Sequence, residues 1–210
     1  MKSKIFDYAG VFASVVLIAI GAGAIIMGLS GRNDVGTQLK REQIKGTPDM
    51  TPTAIQKEIA AAKLTNVPGI PTCSVANQLV DTGAEARCFA QYMRIHALEA
   101  TGGRPYSQIG RYLTASGKET DDAALAAKDP KSGQPLANGV RDVWVTETAL
   151  STALNTSDFA QQVALFAIIM GLALLLTGVG FGVFTVRHLR ERTEESEARA
   201  PSMKPAGAAA

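Results

Sequence analysis

The stretch that decides the fold runs from Tyr8 to Leu29, YAGVFASVVLIAIGAGAIIMGL, and contains no charged residue. A helix needs about 20 apolar residues to cross about 30 Å of hydrocarbon, and this stretch exceeds that length. A second uncharged stretch, Val163–Val186, reads VALFAIIMGLALLLTGVGFGVFTV. Soluble helices this long carry a polar face. Neither stretch has one, so the sequence predicts two transmembrane helices rather than two buried core helices. MKSK ahead of the first run and AGA at Ala22–Ala24 have the look of a signal peptide. The apolar run continues through IIMGL, and that length predicts an uncleaved anchor.

Basic residues next to the spans set the orientation. Lys2 and Lys4 precede the first span, and Arg187, Arg190 and Arg192 follow the second. Long loops translocate largely regardless of their charge. The expected arrangement is therefore a cell-membrane protein with residues 1–7 and 187–210 cytoplasmic, spans at 8–29 and 163–186, and residues 30–162 extracytoplasmic. The outer segment holds 14 Lys and Arg against 14 Asp and Glu. A neutral segment has no electrostatic footprint for nucleic acid. The whole-chain excess of +2 lies in the terminal segments. The Arg cluster after the second span reads as a topology anchor, and the Pro/Ala/Gly-rich end of the tail as disordered.

Within 30–162, residues 30–49 read as a linker. Thr51 as N-cap and Pro52 at the first helical position open a helix carrying Ile55 and Ile59. A short helix is expected over 74–80, broken by Thr82 and Gly83, and a longer one over 84–101, stopped by Gly102 and Gly103. Its polar side carries Arg87, Gln91 and Arg94; its apolar side carries Cys88, Phe89, Tyr92, Met93 and Ile95, with His96 at the border. GRPYSQIGRYL reads as a turn and then a short helix or extended segment, and DPKSGQP as a turn. A helix is expected over 141–154, with NTSD (155–158) as a break. Asp158 and Gln161 then resemble a capping box that starts the second span. The result is a small, mostly α-helical domain with a thin core, of the kind that needs a staple or a partner.

CSVANQLVDTGAEARCFAQYMRIH, from Cys73 to His96, holds both cysteines and one of the two histidines. Outside the cytoplasm, two lone cysteines read as one disulfide, Cys73–Cys88. A metal shared by Cys88 and His96 fails on distance: eight residues along a helix span about 12 Å. The other histidine, His188, falls across the membrane on this topology. No Cys-x-x-Cys redox pair is present. The expectation is no metal ligand, no cofactor-binding residue and no catalytic residue, with His96 bonded to backbone or solvent.

The spans carry a pattern of their own. Gly10, Ser14, Leu17, Gly21, Ala24, Gly28 and Gly31 recur at spacings of four and three; the second span offers Ala164, Ala167, Gly171, Gly178 and Gly182. Small residues let helix backbones approach in lipid. The seam would serve either an antiparallel hairpin within the chain or a contact with another subunit. Alternatively, it reflects only the frequency of glycine in membrane helices. Neither span holds an ionisable residue of the kind transport requires.

MRIHALEATGGRPYSQIGRYL (93–113), VWVTETALSTALNTS (143–157) and ALFAIIMGLALLLTGVGF (164–181) give the chain its resemblance to a group of small two-span membrane proteins of actinobacterial type. The resemblance covers most of 73–184. The group has no established activity to carry over. Some members bear the label of aromatic ring-opening dioxygenase, which the residues here do not support. Such enzymes hold iron with two histidines and a carboxylate, and the two histidines here lie at opposite ends of the predicted topology. G-x-S-x-G, H-E-x-x-H and Walker A motifs are absent from the sequence as well.

The fold expected is an all-α membrane protein in which two transmembrane helices flank a small extracytoplasmic domain. The function expected is that of a non-enzymatic accessory or interaction subunit. The alternative is a lipid- or small-molecule-binding module of the cell envelope, and a channel of oligomerised spans ranks behind both. The partners expected are the lipid bilayer and another membrane protein or further copies of the same chain. Tyr106, Tyr112 and Trp144 are candidate contact residues, because aromatic side chains anchor interfaces.

Overall fold

The computed structural model describes residues 2–65 and 67–198. Four α-helices carry most of the chain: α1 (Lys2–Glu42), α2 (Pro52–Ala61), α3 (Gly83–Ala100) and α4 (Val140–Ala198). A 3₁₀ turn at Tyr106–Gln108 and two short antiparallel strands, β1 (Tyr112–Leu113) and β2 (Glu119–Thr120), lie between α3 and α4. Two compact units result. One comprises the chain up to Ser30 with that from Ala164 onward; the other is Gly31–Val163.

In the first unit, α1 and α4 each contain a segment long and apolar enough to cross a membrane, and only 11% and 17% of those windows is buried. The core helix of a soluble protein is mostly buried, whereas these segments are largely exposed. The 22 residues from Tyr8 to Leu29 rise about 33 Å. The helices meet antiparallel along their small residues. A Cβ added at Gly21 would lie 2.6 Å from the carbonyl oxygen of Gly171, and one added at Gly171 would lie 2.6 Å from that of Gly21. A Cβ on Gly28 would meet Ala164 O at 2.6 Å, one on Gly178 would meet Ile18 Cγ1 at 2.8 Å, and one on Gly10 would meet Thr185 Oγ1 at 2.8 Å. Gly182 faces Ser14, whose Oγ donates to the Gly178 carbonyl at 2.7 Å. Ala24 is half-buried. Large side chains such as Phe12, Ile26, Met27, Phe166, Ile169 and Leu176 point away from the seam and are exposed.

In the second unit, α1 continues where a linker was expected. Val35 and Leu39, one turn apart, pack on the core, so the helix gains buried surface that offsets its glycines. Lys40 pairs with Asp81 at 3.4 Å. α2 begins as its sequence demands: the Thr51 side chain accepts from Ala54 N at 3.2 Å, and Pro52 follows. The segment 74–80 is not a helix. Its backbone bonds outward instead, with Val75 N donating to Met50 O, Asn77 N to Gly46 O and Val80 N to Ile44 O. Asn77, at φ +58°, takes the left-handed turn this path requires. Gly46 has no side chain because Val75 O occupies the space.

α3 starts with a capping box: Thr82 accepts from Glu85 N, and the Glu85 carboxylate accepts from Thr82 N at 3.0 Å. It ends on Gly102 and Gly103, at φ +63° and +76°, with Gly103 N donating back to Leu98 O at 2.7 Å. The main core gathers Leu39, Met50, Ile55, Val75, Val80, Phe89, Tyr92, Ile95 and Leu154; a smaller one holds Ala97, Leu98, Ile109 and Trp144. The β1–β2 pair, with Tyr112 opposite Thr120, departs from the all-α expectation.

The break expected at 155–158 is absent, and α4 runs through it. Thr156 and Ser157 bond the carbonyls of Thr152 and Ala153, so their hydroxyls are satisfied within the helix. Asp158 and Gln161 do not cap α4. Gln161 Oε1 accepts from Gly83 N at 2.8 Å, and Asp158 sits 3.6 Å from Arg87, so both serve the start of α3.

Forcing a methyl into the seam shifts packed backbones and costs about 1–3 kcal/mol. G21A and G171A should each lower the thermal unfolding temperature of the full chain in detergent. G23A, where an added Cβ meets nothing within 4 Å, should leave it unchanged.

Candidate functional site

Cys73 and Cys88 are bonded, with Cα atoms 6.1 Å apart and a separation of 15 positions in sequence. Cys88 is buried on α3 and Cys73 lies in the exposed extended segment before it, so the bridge ties α3 to an extended strand of chain rather than to another helix. Tyr92, one turn beyond Cys88 and fully buried, donates its hydroxyl to Cys73 O at 2.6 Å. Burial pushes the Tyr92 phenol up. A loop of this size stabilises by about 3 kcal/mol on the chain-entropy model. Reduction should lower the urea midpoint of Gly31–Val163 accordingly, followed by the fluorescence of Trp144, the sole tryptophan of the chain.

Trp144 is buried, only 3% exposed, and packs in the smaller core. Its Nε1 donates to Arg104 O at 3.0 Å, and Arg94 lies 5.0 Å from the centroid of its ring. It is a core residue and not a docking residue. Tyr112 is half-buried in β1. Tyr106 is exposed, with the Arg141 guanidinium 3.8 Å above its ring. The polar side of α3 also reaches α4: Arg87, itself exposed, approaches Asp158, and Arg94, exposed as well, lies 3.7 Å from Glu147, whose side chain is 4% exposed and also accepts from Ser151. Two shallow grooves line this junction. One, of about 380 Å³, is bordered by Arg87, Gln91, Arg94 and Glu147. The other, of about 470 Å³, is bordered by Met93, His96, Ala100, Val143 and Thr146.

His96 is not simply a border residue bonded to backbone or solvent. Its Nε2 lies 2.9 Å from Asp49 Oδ2 and 3.7 Å from Glu58 Oε2. One ligating atom from each of the three residues falls within 4.8 Å of the others. The residues come from three segments: the turn before α2, α2 itself and α3. Nε2 is buried, yet it has no aligned hydrogen-bond partner despite the short approach to Asp49; the contact is close in distance and poor in angle. Burial opposes ionisation of Asp49, but bonds from the Thr47 side chain and the Asp49 amide, with His96 nearby, outweigh it and hold this carboxyl below its usual range. Burial and the neighbouring Asp49 charge push Glu58 up. Neither carboxylate pairs with Lys or Arg among the described residues. A His–carboxylate–carboxylate set suits a first-row divalent cation.

Sequence reading compares His96 with Cys88 on its own helix and misses Asp49 and Glu58, which lie far off in the chain. One signal was available. Glu58 follows the buried Ile55 by three residues, which puts it on the core-facing side of α2.

Comparison with protein families, with curated proteins and with solved structures finds no match to this chain.

A second charged cluster lies at Arg104 and Glu119. Arg104 Nη1 and Nη2 meet the two oxygens of Glu119 at 2.8 and 3.1 Å, and Gly110 N also donates to this carboxylate. Arg104 and then the Gly110 amide pull the Glu119 carboxyl from 4.5 down to about 2. A depressed carboxyl contributes stability above its unfolded value and loses it as pH falls through the folded value. Protection of the Gly110 amide from exchange should therefore fade between about pH 4.5 and about 2. In E119Q that dependence should be flat.

Proposed function

We propose that this chain is a two-span membrane protein that holds a disulfide-stapled, mostly helical domain on the outer face of the cell membrane, as a non-enzymatic accessory or interaction subunit. The observation that carries the reading is the self-contained hairpin. The small residues of both apolar helices are used against each other within the chain, and the large apolar side chains are left facing outward, as lipid requires. The basic residues beside the spans support cytoplasmic termini, and the disulfide supports an oxidising compartment for Gly31–Val163. With the seam occupied internally, a partner, whether another membrane protein or a further copy, meets this chain through other surfaces. The groove beside His96 and Val143 favours a second reading, the binding of a small or lipid-like ligand.

A membrane-impermeant thiol reagent on intact cells tests orientation and staple together. Labelling of Cys73 and Cys88 only after reduction is expected. Labelling that requires permeabilised cells would reverse the topology, and recovery of monomers alone after mild solubilisation at native expression would remove the interaction role.

A further inference from the structure

The cluster at Asp49, Glu58 and His96 has no part in the anchoring role. The geometry points to a binding site for one divalent cation of the zinc class, held by Asp49 Oδ2, Glu58 Oε2 and His96 Nε2. Zinc bonds to nitrogen and oxygen are about 2.0–2.2 Å long. Donors on a tetrahedral shell of that radius stand about 3.4 Å apart, and the measured separations of 2.9 and 3.7 Å fall on either side of that value. Three protein ligands leave a fourth position, and the three side chains are each 25–32% exposed, so that position opens to solvent. A second sign is Nε2 itself, which is buried and lies 2.9 Å from Asp49 Oδ2 without a well-aligned hydrogen bond. A buried imidazole nitrogen without an aligned partner is costly, whereas a cation between it and the two carboxylates would satisfy all three groups. Charge agrees. The two carboxylates, with Glu99 close enough to raise Glu58 further, face a single histidine and no lysine or arginine among the described residues. Imidazole selects against magnesium and calcium, which prefer all-oxygen shells.

The rival arrangement is a charged histidine between two carboxylates with no metal. The test uses the full, tag-free chain in detergent at pH 7.5, stripped with a chelator and titrated with zinc against a chromophoric competitor. One equivalent should bind. H96Q and E58Q should each weaken it by at least about tenfold, and H188Q should leave it unchanged. Magnesium or calcium at the same concentration should fail to displace it. In the unmutated chain, zinc should move the imidazole nitrogen resonances of His96 and leave those of His188, which keeps the test decisive if a variant misfolds. Absence of a bound equivalent, undiminished binding by H96Q, or unmoved His96 resonances would each overturn the site. Equal competition by calcium would overturn the choice of cation class.

Discussion

Where Gly21 meets Gly171 the two backbones lie directly against each other, and no side chain fits between them. In a hydrocarbon environment there is no hydrophobic gain from joining two apolar helices, so contact must come from dense packing and hydrogen bonds. Glycine supplies the packing by removing the spacer, and the Ser14 hydroxyl supplies a bond to the Gly178 carbonyl of the facing helix. Each contact is small, but the seam repeats them from Gly10 to Gly28. One end of the seam is closed by Gly28 against Ala164.

The Gly31–Val163 unit has a modest core and compensates with backbone and covalent ties. The crossing of Gly46 and Val75, the bridge from Cys73 to Cys88 and the Tyr92 hydroxyl on Cys73 all fasten the same extended segment. α3 is held to its surroundings at its N-terminus by Gln161, in its middle by Cys88 and near its end by His96. The proposed cation and the disulfide thus act about 12 Å apart on one helix, joining it to two different parts of the preceding chain.

Legibility followed locality. The start of α2 was readable because Thr51 and Pro52 act within one turn, and the end of α3 because Gly102 and Gly103 do. The apolar stretches were readable by length alone. Several of the failures depended on a partner distant in sequence. Residues 31–42 look like a linker until Val35 and Leu39 find the core. The 74–80 segment has helical composition, yet its amides are claimed by Ile44, Gly46 and Met50. Asp158 and Gln161 carry the letters of a cap, but a helix that satisfies Thr156 and Ser157 internally runs straight past them. Thr82 and Glu85 spelled a capping box that could have been read. The Asp49–Glu58–His96 cluster could not, since nothing in spacing links those three positions.

The antiparallel seam also has an order of assembly written into it. A ribosome delivers Gly10–Gly28 first and their partners on α4 only after the whole of Gly31–Val163 has been made. In the proposed orientation the intervening unit would cross the membrane, and could oxidise its cysteines, before the second helix arrives. During that interval the first helix would stand alone in the bilayer with its glycine face uncovered. This nascent intermediate, rather than the finished protein, is the stage at which a chaperone or a neighbouring helix would have access to that face.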